Sequence, residues 1–411
     1  MFVKYFFVYK VILVANSTWN IFNFRLKLIE TLVSNGFQVF VVSPTDRYLS
    51  FLENFPEVIH IPLENLKRKS LNPFDDLKLF FELYKIYKQV KPDVLLHYTI
   101  KPNVYGGLAA RILRIKNIPI ITGLGYTFLN KGLLYSLTNI LYRLSFKKAE
   151  KVIFENIDDR RVFIEKKIVT QNKSISVKGC GTDINHFKPQ EKEKRSEKLI
   201  ISYVGRYLYD KGILEFVKAA EIVKKEFSNV EFWLNGSADF GNPASIKEHE
   251  LNEWINKKII TDKGFADDVR IPISESDCIV CPSYREAIPR VIQEGMAMEK
   301  IAITTDVPGC NEAVDHNING FLVDAKNYKQ LAVAFIRVIQ MSSEERTAFG
   351  KAGRQKVIEI FDDRIIATQI LLEVQKAVEI KVTCSDIVKD NSRVPDYKIA
   401  SFQLLNNAAK N

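Results

Sequence analysis

The chain has 411 residues, of which 46% are hydrophobic and 26% are charged. It is therefore too long for one ordinary hydrophobic core and too apolar to be disordered, and we expect two domains. Its net charge of +10 is concentrated, because residues 1–190 hold 28 Lys and Arg against 15 Asp and Glu, whereas residues 191–411 hold 31 against 34. A basic first half favours an anionic partner such as phospholipid headgroups, a lipid-linked diphosphate or nucleic acid, although scattered Lys residues also serve solubility.

The cysteines and the first residues of the chain favour a cytoplasmic protein. Five cysteines in a chain this long do not make a disulfide framework. Cys278 and Cys281 form a CxxC pair, but they lie in an apolar run without a second pair or a nearby His, so we interpret them as packing residues. The apolar N-terminus is interrupted by Lys4 and Lys10 and is too short to span a bilayer. We expect a protein that at most lies on a membrane.

Short β-rich runs alternate with amphipathic stretches along the first half, which is typical of a parallel sheet with crossover helices. The predicted strands cover residues 10–15, 37–43, 58–61, 93–97, 118–122 and 151–154. Two of the predicted helices cover residues 22–35, closed by Gly36, and residues 73–89, entered through Asn72 as the N-cap. We assign residues 1–187 to a first, acceptor-binding Rossmann-like domain.

The almost wholly polar stretch 188–198 is predicted to be a linker. Beyond it we predict strands at 199–204, 230–234, 277–281 and 301–304, helices at 213–227 and 288–298, and later helices at 327–340, 343–360 and 364–380. Residues 199–363 form the predicted second domain, and 364–380 a helix that packs back on the first. The polar tail 381–411 is predicted to be disordered. The fold class is therefore α/β, with two doubly wound domains that face each other across a ligand-binding cleft.

The most informative motif is the stretch 282–294, which leaves a predicted buried strand and enters a helix. Pro289 is expected in the first turn of that helix, whose free N–H groups suit a phosphate. Glu286 and Glu294 are eight residues apart, which corresponds to about 12 Å at the helical rise. That is about the span of a sugar–diphosphate–ribose, although two glutamates on one helix are more often ordinary surface residues.

Neighbouring cations favour the functional interpretation of the two glutamates. Arg206 follows the first strand of the second domain, and Lys211 opens the next helix, so both are expected at the carboxyl edge of the sheet. Cations there would neutralise a diphosphate leaving group. Gly205 would allow close approach of the backbone.

Residues 203–324 resemble the donor domain of glycosyltransferase family 4, whose members are retaining enzymes of the two-domain GT-B fold. The matching residues are Gly205-Arg206, Lys211-Gly212, Pro282-Ser283, Glu286 with Glu294, Pro308-Gly309 with Glu312, and the stretch 319–323. The Gly-rich stretch 178–183 with Phe187 is similar to the end of that family's first domain. The resemblance extends to about residue 380.

The resemblance implies roles for individual residues. Glu286 would contact the donor sugar near the reacting carbon, Glu294 the ribose, and Arg206 and Lys211 the diphosphate, so Glu286, Arg206 and Lys211 are the expected catalytic residues. The other expected donor-binding residues are Gly205, Ala287, Ile288, Pro289 and Phe265. No metal ion and no cofactor is implied, only a nucleotide-sugar donor. The implied reaction is a same-face displacement in which the leaving phosphate oxygen helps to deprotonate the incoming hydroxyl.

The chain departs from the family pattern at four positions. Ala287 replaces the usual Gly after the first glutamate, which would narrow the sugar pocket. Gly295 stands where Ala is common, and Glu299 where Gly is common. Gly123 lies near the place where many members carry a His beside the donor sugar.

The candidate acceptor-binding residues follow the strands of the first domain: Asn16, Trp19, His97, Lys101 and Gly123. Polar loops at that edge of the sheet face the partner domain. His97 and Lys101 are predicted to meet an acceptor diphosphate. The alternative for His97 is a structural histidine near a strand end.

Two stretches suit a membrane interface, namely residues 67–69 with the aromatic-rich 74–87, and residues 133–148. Both are equally well explained as core faces of crossover helices. The segments 69–74 and 121–128 resemble bacterial transferases that extend undecaprenyl-diphosphate-linked oligosaccharides in N-glycan, capsule and O-antigen synthesis. This narrower resemblance implies an undecaprenyl-diphosphate-linked saccharide as acceptor and a peripheral location on the inner face of the cell membrane.

We therefore expect transfer of a sugar, an N-acetylhexosamine from a UDP donor, to a lipid-diphosphate-linked saccharide with retention. One alternative is a UDP-sugar epimerase of the same fold, for which acid/base residues around the sugar are missing. Another is a nucleic-acid-binding protein, but no recognition motif is found, so no nucleic-acid partner is expected. A hydride-transferring enzyme is disfavoured because no GxGxxG follows a predicted strand.

Overall fold

The computed structural model describes residues 9–67, 70, 72–124, 133–190, 198–240, 242 and 244–379. Within them, the first domain is built on a parallel sheet in the order β3-β2-β1-β4-β5-β6-β7. Its strands are β1 (Tyr9–Val14), β2 (Phe37–Ser43), β3 (Ile59–Pro62), β4 (Val94–Tyr98), β5 (Lys116–Ile121), β6 (Val152–Phe154) and β7 (Ser174–Ser176). The six predicted strands are present. Strand β7 was not predicted, because three residues with two serines carry no apolar pattern.

The helices of the first domain lie on both faces of this sheet. They are α1 (Thr18–Phe24), α2 (Leu26–Ser34), α3 (Pro73–Val90), α4 (Gly107–Leu113), α5 (Leu133–Phe146) and α6 (Ile157–Glu165). Helix α3 begins as predicted, with the side chain of Asn72 accepting a hydrogen bond from the backbone N–H of Phe74.

The prediction of one continuous helix over residues 22–35 was wrong, because the helix breaks at Arg25. The Arg25 side chain is buried, with its guanidinium 2.9 Å from a carboxylate oxygen of Glu155 and 4.1 Å from the ring centre of Tyr98. A buried guanidinium needs such a partner. The break is therefore explained by a contact with a residue far away in the sequence.

The second domain has a parallel sheet in the order β10-β9-β8-β11-β12-β13, again within the described residues. Its strands are β8 (Leu199–Val204), β9 (Val230–Asn235), β10 (Thr261–Gly264), β11 (Cys278–Cys281), β12 (Ile301–Thr305) and β13 (Gly320–Val323). Strands β10 and β13 were not predicted as strands, because β10 has no apolar residue and β13 begins with a glycine. The prediction of two doubly wound parallel sheets is confirmed.

Eight helices follow in the described part of the second half. They are α7 (Ile213–Lys224), α8 (Glu248–Asn256), α9 (Arg270–Glu275), α10 (Arg290–Ala297), α11 (Cys310–Ala313), α12 (Tyr328–Gln340), α13 (Ser343–Lys356) and α14 (Asp363–Ala377). Cys278 and Cys281 are buried in the apolar cores on the two faces of the second sheet, as expected of packing residues.

The last helix returns to the first domain. The apolar residues of α14, among them Ile366, Ile370 and Val374, are buried in the same core as Val11 and Leu13 of β1. The chain therefore crosses between the domains twice. Residues 191–197 of the predicted linker and the tail 381–411 lie outside the described residues.

The carboxyl edges of the two sheets face each other. Lys178 and the backbone N–H of Ile157, both in the first domain, bind the carboxylate of Glu312 at 2.5 and 3.0 Å. Arg285 forms an ion pair with the buried carboxylate of Asp159, which lies beyond the end of β6. Ligand sites of doubly wound sheets lie at this edge, so a cleft lies where the sequence predicted it. None of the described helices is both long enough and apolar enough to cross a bilayer.

Candidate active site

The loop of residues 282–289, here called the donor loop, is held in place by its neighbours. Strand β11 is buried and delivers the loop to the carboxyl edge of the second sheet. The hydroxyls of Thr304 and Thr305 donate to the carbonyls of Cys281 and Ser283. Gly309 lies directly on the loop, since a Cβ atom there would be 2.1 Å from the carbonyl oxygen of Ala287. Only glycine allows this close approach. Its φ of +82° also lies in the region that favours glycine.

Glu286 is the carboxylate of the donor loop, and its position is fixed by two neighbouring side chains. One of its oxygens lies 2.5 Å from the ammonium of Lys211 and 2.8 Å from the hydroxyl of Ser283. The Glu286 side chain is 20% exposed and therefore accessible from the cleft. Burial lowers the pKa of Lys211, but the carboxylate of Glu286 more than offsets this, so its pKa lies above the ordinary value. The Lys211 ammonium is thus charged at neutral pH.

Lys211 reaches Glu286 because its turn packs on the donor loop. Gly212, with φ of +73°, allows the carbonyl oxygen of Pro282 to come within 2.0 Å of where a Cβ atom would stand. The backbone N–H of Tyr284 also donates to the carbonyl of Asp210 at 2.9 Å. Two motifs 75 residues apart in the sequence are therefore joined through backbone contacts.

Glu294 lies in α10 and is buried, with 6% of its surface exposed. Burial raises the pKa of Glu294, and the guanidinium of Arg290, 2.6 Å away, opposes that rise. Together with residues of α1, α2 and α14 it lines a cavity of about 490 Å³ between the domains. Glu286, Lys211 and Arg206 do not line this cavity. The two glutamates therefore serve different parts of the cleft.

The other predicted donor residues are placed as follows. Gly205 has φ of +151° and is exposed with Arg206 at the end of β8, and the Arg206 side chain has no hydrogen-bond partner among the described residues. Ile288 is buried, and Phe265 is 63% exposed beyond β10. The sequence had predicted Pro289 in the first turn of α10, but it is the N-cap of that helix.

The family departures have structural counterparts. Gly123 has φ of +114°, and a Cβ atom there would still be 3.8 Å from the Cβ of Ala287 across the cleft. A Cβ on Gly295 would be 2.8 Å from the side chain of Ile279, so a glycine fits there and a larger residue does not. Glu299 adopts φ of +59°, where glycine would be unstrained.

The assignment of His97 to the acceptor site was wrong. His97 is completely buried, and its two ring nitrogens lie 2.7 Å from the hydroxyl of Tyr87 and 2.7 Å from the amide oxygen of Asn117. Burial lowers its pKa to about 4, although the bond to Asn117 raises it. The neutral ring thus donates to Asn117 and accepts from Tyr87. His97 is therefore the structural histidine near a strand end that the sequence analysis gave as the alternative.

Lys101 is also engaged within its own domain, and its assignment to an acceptor diphosphate stays a prediction. Its ammonium lies 2.7 Å from a carboxylate oxygen of Asp76 and 2.8 Å from the carbonyl of Ser70. Lys101 is thus neutralised and ties the loop before α3 to the domain. Of the remaining candidates, Asn16 is half-buried and Trp19 is 41% exposed, both just beyond β1, and their acceptor role stays a prediction.

Two arginines of the donor loop and α10 were missed by the sequence reasoning. Arg285 precedes Glu286 and binds Asp159 of the first domain, while Arg290 binds both Glu294 and the backbone carbonyl of Asn23 in the first domain. Each glutamate thus has a nearby arginine that contacts the opposite domain. The only sequence signal was the position of these arginines within the motif.

Two family models match the chain. The model described as "Glycosyl transferase 4-like" matches residues 10–156, and the model described as "Glycosyl transferases group 1" matches residues 185–356. The chain belongs to the glycosyltransferases. The second model begins near the predicted boundary between the domains, and together the two models match most of the chain.

Named relatives of this glycosyltransferase match over most of their length. The N,N'-diacetylbacillosaminyl-diphospho-undecaprenol alpha-1,3-N-acetylgalactosaminyltransferase of Campylobacter jejuni is 29% identical, over 86% of this chain and 94% of the relative. The UDP-Gal:alpha-D-GlcNAc-diphosphoundecaprenol alpha-1,3-galactosyltransferase of Escherichia coli is 23% identical, over 72% and 78%. The solved structure of Anabaena HepE with UDP and glucose has a TM-score of 0.74 at 19% identity, covering 89% of this chain and 99% of HepE. The GT-B fold is therefore confirmed.

The arrangement is suited to holding an anionic, hydroxyl-rich ligand. The Lys211 ammonium stands at the edge where the N-terminus of α10 also points, and both favour negative charge. Glu286 and Glu294 supply carboxylates that accept hydrogen bonds from sugar hydroxyls. In the described part of the chain, no cluster of three or more His, Cys, Asp or Glu side chains has metal-site geometry.

Proposed function

We propose that this glycosyltransferase transfers an N-acetylhexosamine from a UDP donor to a saccharide that is linked through a diphosphate to a lipid. The single observation that carries the donor site is the 2.5 Å contact of Lys211 with Glu286. It brings a cation and a carboxylate together at the edge where the Arg206 side chain is exposed. In the bound donor, Lys211 and Arg206 neutralise the diphosphate, Glu286 binds the sugar and Glu294 the ribose.

The resemblance to family 4 implies retention of configuration, and the contacts of Glu286 bear on the route. Its anchored oxygen already accepts from Lys211 and Ser283, so a same-face displacement is favoured over attack of this carboxylate on the sugar. The bond between the anomeric carbon and the phosphate oxygen breaks while the acceptor oxygen bonds to that carbon on the same face. The acceptor proton passes to the leaving phosphate, and the residues supply orientation and charge stabilisation.

The choice of sugar and acceptor is supported by the names of the two relatives. Both names specify a diphospho-undecaprenol acceptor, one of them a UDP-linked donor and the other transfer of N-acetylgalactosamine. The lipid acceptor would place the reaction at the inner face of the cell membrane, with the protein bound peripherally.

The test is incubation of the purified protein with a panel of radiolabelled UDP-sugars and a lipid extract that contains undecaprenyl-diphosphate-linked saccharides. The expected result is label from a UDP-N-acetylhexosamine in the lipid phase, with retained anomeric configuration in the product. A Glu286→Gln variant is the matched control. Isomerised sugar that stays in the nucleotide fraction would identify an epimerase instead, and a salt-sensitive shift of RNA or DNA without transfer would identify a nucleic-acid-binding protein.

A further inference from the structure

Helix α3 exposes an apolar stripe along its outer face. Phe74, Leu77 and Phe81 lie one turn apart on its outer face and are 73%, 52% and 52% exposed. Lys85 and Lys88 continue the same stripe toward the end of the helix. The exposed face of α3 is thus apolar in its first half and cationic in its second.

Helix α5 repeats this arrangement. Leu137, Ile140 and Leu144 form its exposed stripe and are 44% to 51% exposed. Lys147 and Lys148 follow directly after the helix and are also exposed. Residues 133–148 contain no Asp or Glu. Exposed apolar residues normally occur singly, so two matching stripes indicate an interaction surface.

The acidic residues of α3 do not neutralise this surface. Asp75 accepts hydrogen bonds from Ser70 and Lys67. Asp76 accepts from Lys101 and Tyr105. Glu82 accepts from two backbone N–H groups of the loop before the helix. All three carboxylates are therefore occupied by the protein itself. The exposed lysines of the two stripes have no carboxylate partner among the described residues: Lys78, Lys85, Lys88, Lys147 and Lys148.

The topology gives both stripes the same direction. Helices α3 and α5 follow the carboxyl ends of β3 and β5 and return to the amino ends of the next strands, with α4 packed between them. Their first halves therefore lie toward the edge of the sheet that faces the second domain. Each stripe therefore begins nearer the mouth of the cleft, with Phe74 in α3 and Leu137 in α5, and ends farther from it with lysines.

We infer that these two stripes, here called the docking face, bind the surface of an anionic phospholipid bilayer. On such a surface the apolar side chains can enter the acyl boundary, while the lysines beside them are attracted to the anionic headgroups. A second copy of the chain fits less well, because a two-fold contact through this face would oppose lysines to lysines. Resting on the proposed function, the inference also explains how the cleft meets a lipid-linked acceptor that cannot leave the membrane.

The test is co-sedimentation of the full chain with phosphatidylcholine vesicles, with and without phosphatidylglycerol. Two double variants remove the apolar stripes, Phe74→Ser with Phe81→Ser, and Leu137→Ser with Ile140→Ser. The matched control is Ile318→Ser with Val333→Ser, because both residues are exposed by more than 60% but lie on the second domain. We expect each stripe variant to bind anionic vesicles about tenfold more weakly, and the control to bind like the native chain.

The outcomes separate the docking face from the proposed function. Vesicle binding needs neither donor nor acceptor, so it is measured even if no transfer is found. Transfer to a water-soluble, short-chain diphosphate-linked acceptor should be equal in the native chain and the stripe variants. Equal vesicle binding by the stripe variants and the native chain would overturn the inference, as would a complete lack of binding. A dimer that the stripe variants dissociate would assign the face to self-association instead.

Discussion

Replacing Lys211 by Met tests the core of the donor site. The variant removes the ammonium 2.5 Å from Glu286 and leaves that carboxylate oxygen with the hydroxyl of Ser283 at 2.8 Å and the thiol of Cys281 at 4.0 Å. Because both side chains are 20% to 25% exposed, the ion pair contributes at most about 1 kcal/mol to stability, and the fold should survive. Loss of one charged group at a developing leaving-group charge costs about 3–4 kcal/mol in the transition state, or roughly a hundredfold to a thousandfold in rate.

The assay is the initial rate of sugar transfer for Lys211→Met, Glu286→Gln and the double variant, beside thermal unfolding of each. A Lys351→Met variant, which removes an exposed lysine on α13, should transfer at the native rate. If Lys211 and Glu286 act as one unit, the double variant will be only slightly slower than the slower single variant. Near-normal turnover in either single variant, or losses that multiply in the double variant, would refute this reasoning.

Three further perturbations follow from the structure. Gly309→Ala should displace the donor loop and slow transfer about tenfold or more, whereas Gly36→Ala, with a similar positive φ but nothing within 4 Å, should cost stability only; rates and melting temperatures of both check this. Arg290→Met should raise the pKa of Glu294 further, so the acidic limb of a KM–pH profile for the donor should move to higher pH; an unmoved limb would contradict the pairing. Burial, with the nearby Asp183, raises the pKa of Asp363 to about 7, so the stability of the native protein should fall as the pH rises from about 4 to about 7. Above that range Asp363→Asn should be more stable than the native protein by about 1–2 kcal/mol, whereas near pH 4 the two melting temperatures should be equal. A difference in stability that does not depend on pH would contradict this.

Local patterns explain why much of the donor half was predictable. The six predicted strands of the first half show runs of apolar residues. Glu286 and Lys211 lie at motif positions that parallel topology brings to one edge. The short strands β7, β10 and β13 were missed because pairing with neighbours, not composition, forms them. Strands β7 and β10 contain a single apolar residue between them and β13 begins with a glycine, whereas β6 and β11, which are no longer than these, are wholly apolar.

Long-range contacts explain what the sequence could not predict. Arg25 breaks a helical pattern because Glu155, 130 residues away, binds its guanidinium. His97 looked accessible at a strand end, but Tyr87 and Asn117 enclose it. The ion pair of Arg285 with Asp159 joins the two domains, and the local sequence around each residue does not indicate its partner. Charge and residue type alone do not identify such partners.

Calorimetric titration with UDP and with the intact UDP-sugar most directly tests whether Glu286 and Glu294 hold the two ends of one donor. A hydrogen bond to a carboxylate is worth about 1.5–3 kcal/mol, which is about tenfold or more in affinity. We predict that Glu294→Gln weakens binding of both ligands by that factor, whereas Glu286→Gln weakens binding of the UDP-sugar and leaves UDP affinity unchanged. Equal effects of the two variants on UDP, or no effect of either on the UDP-sugar, would contradict the account.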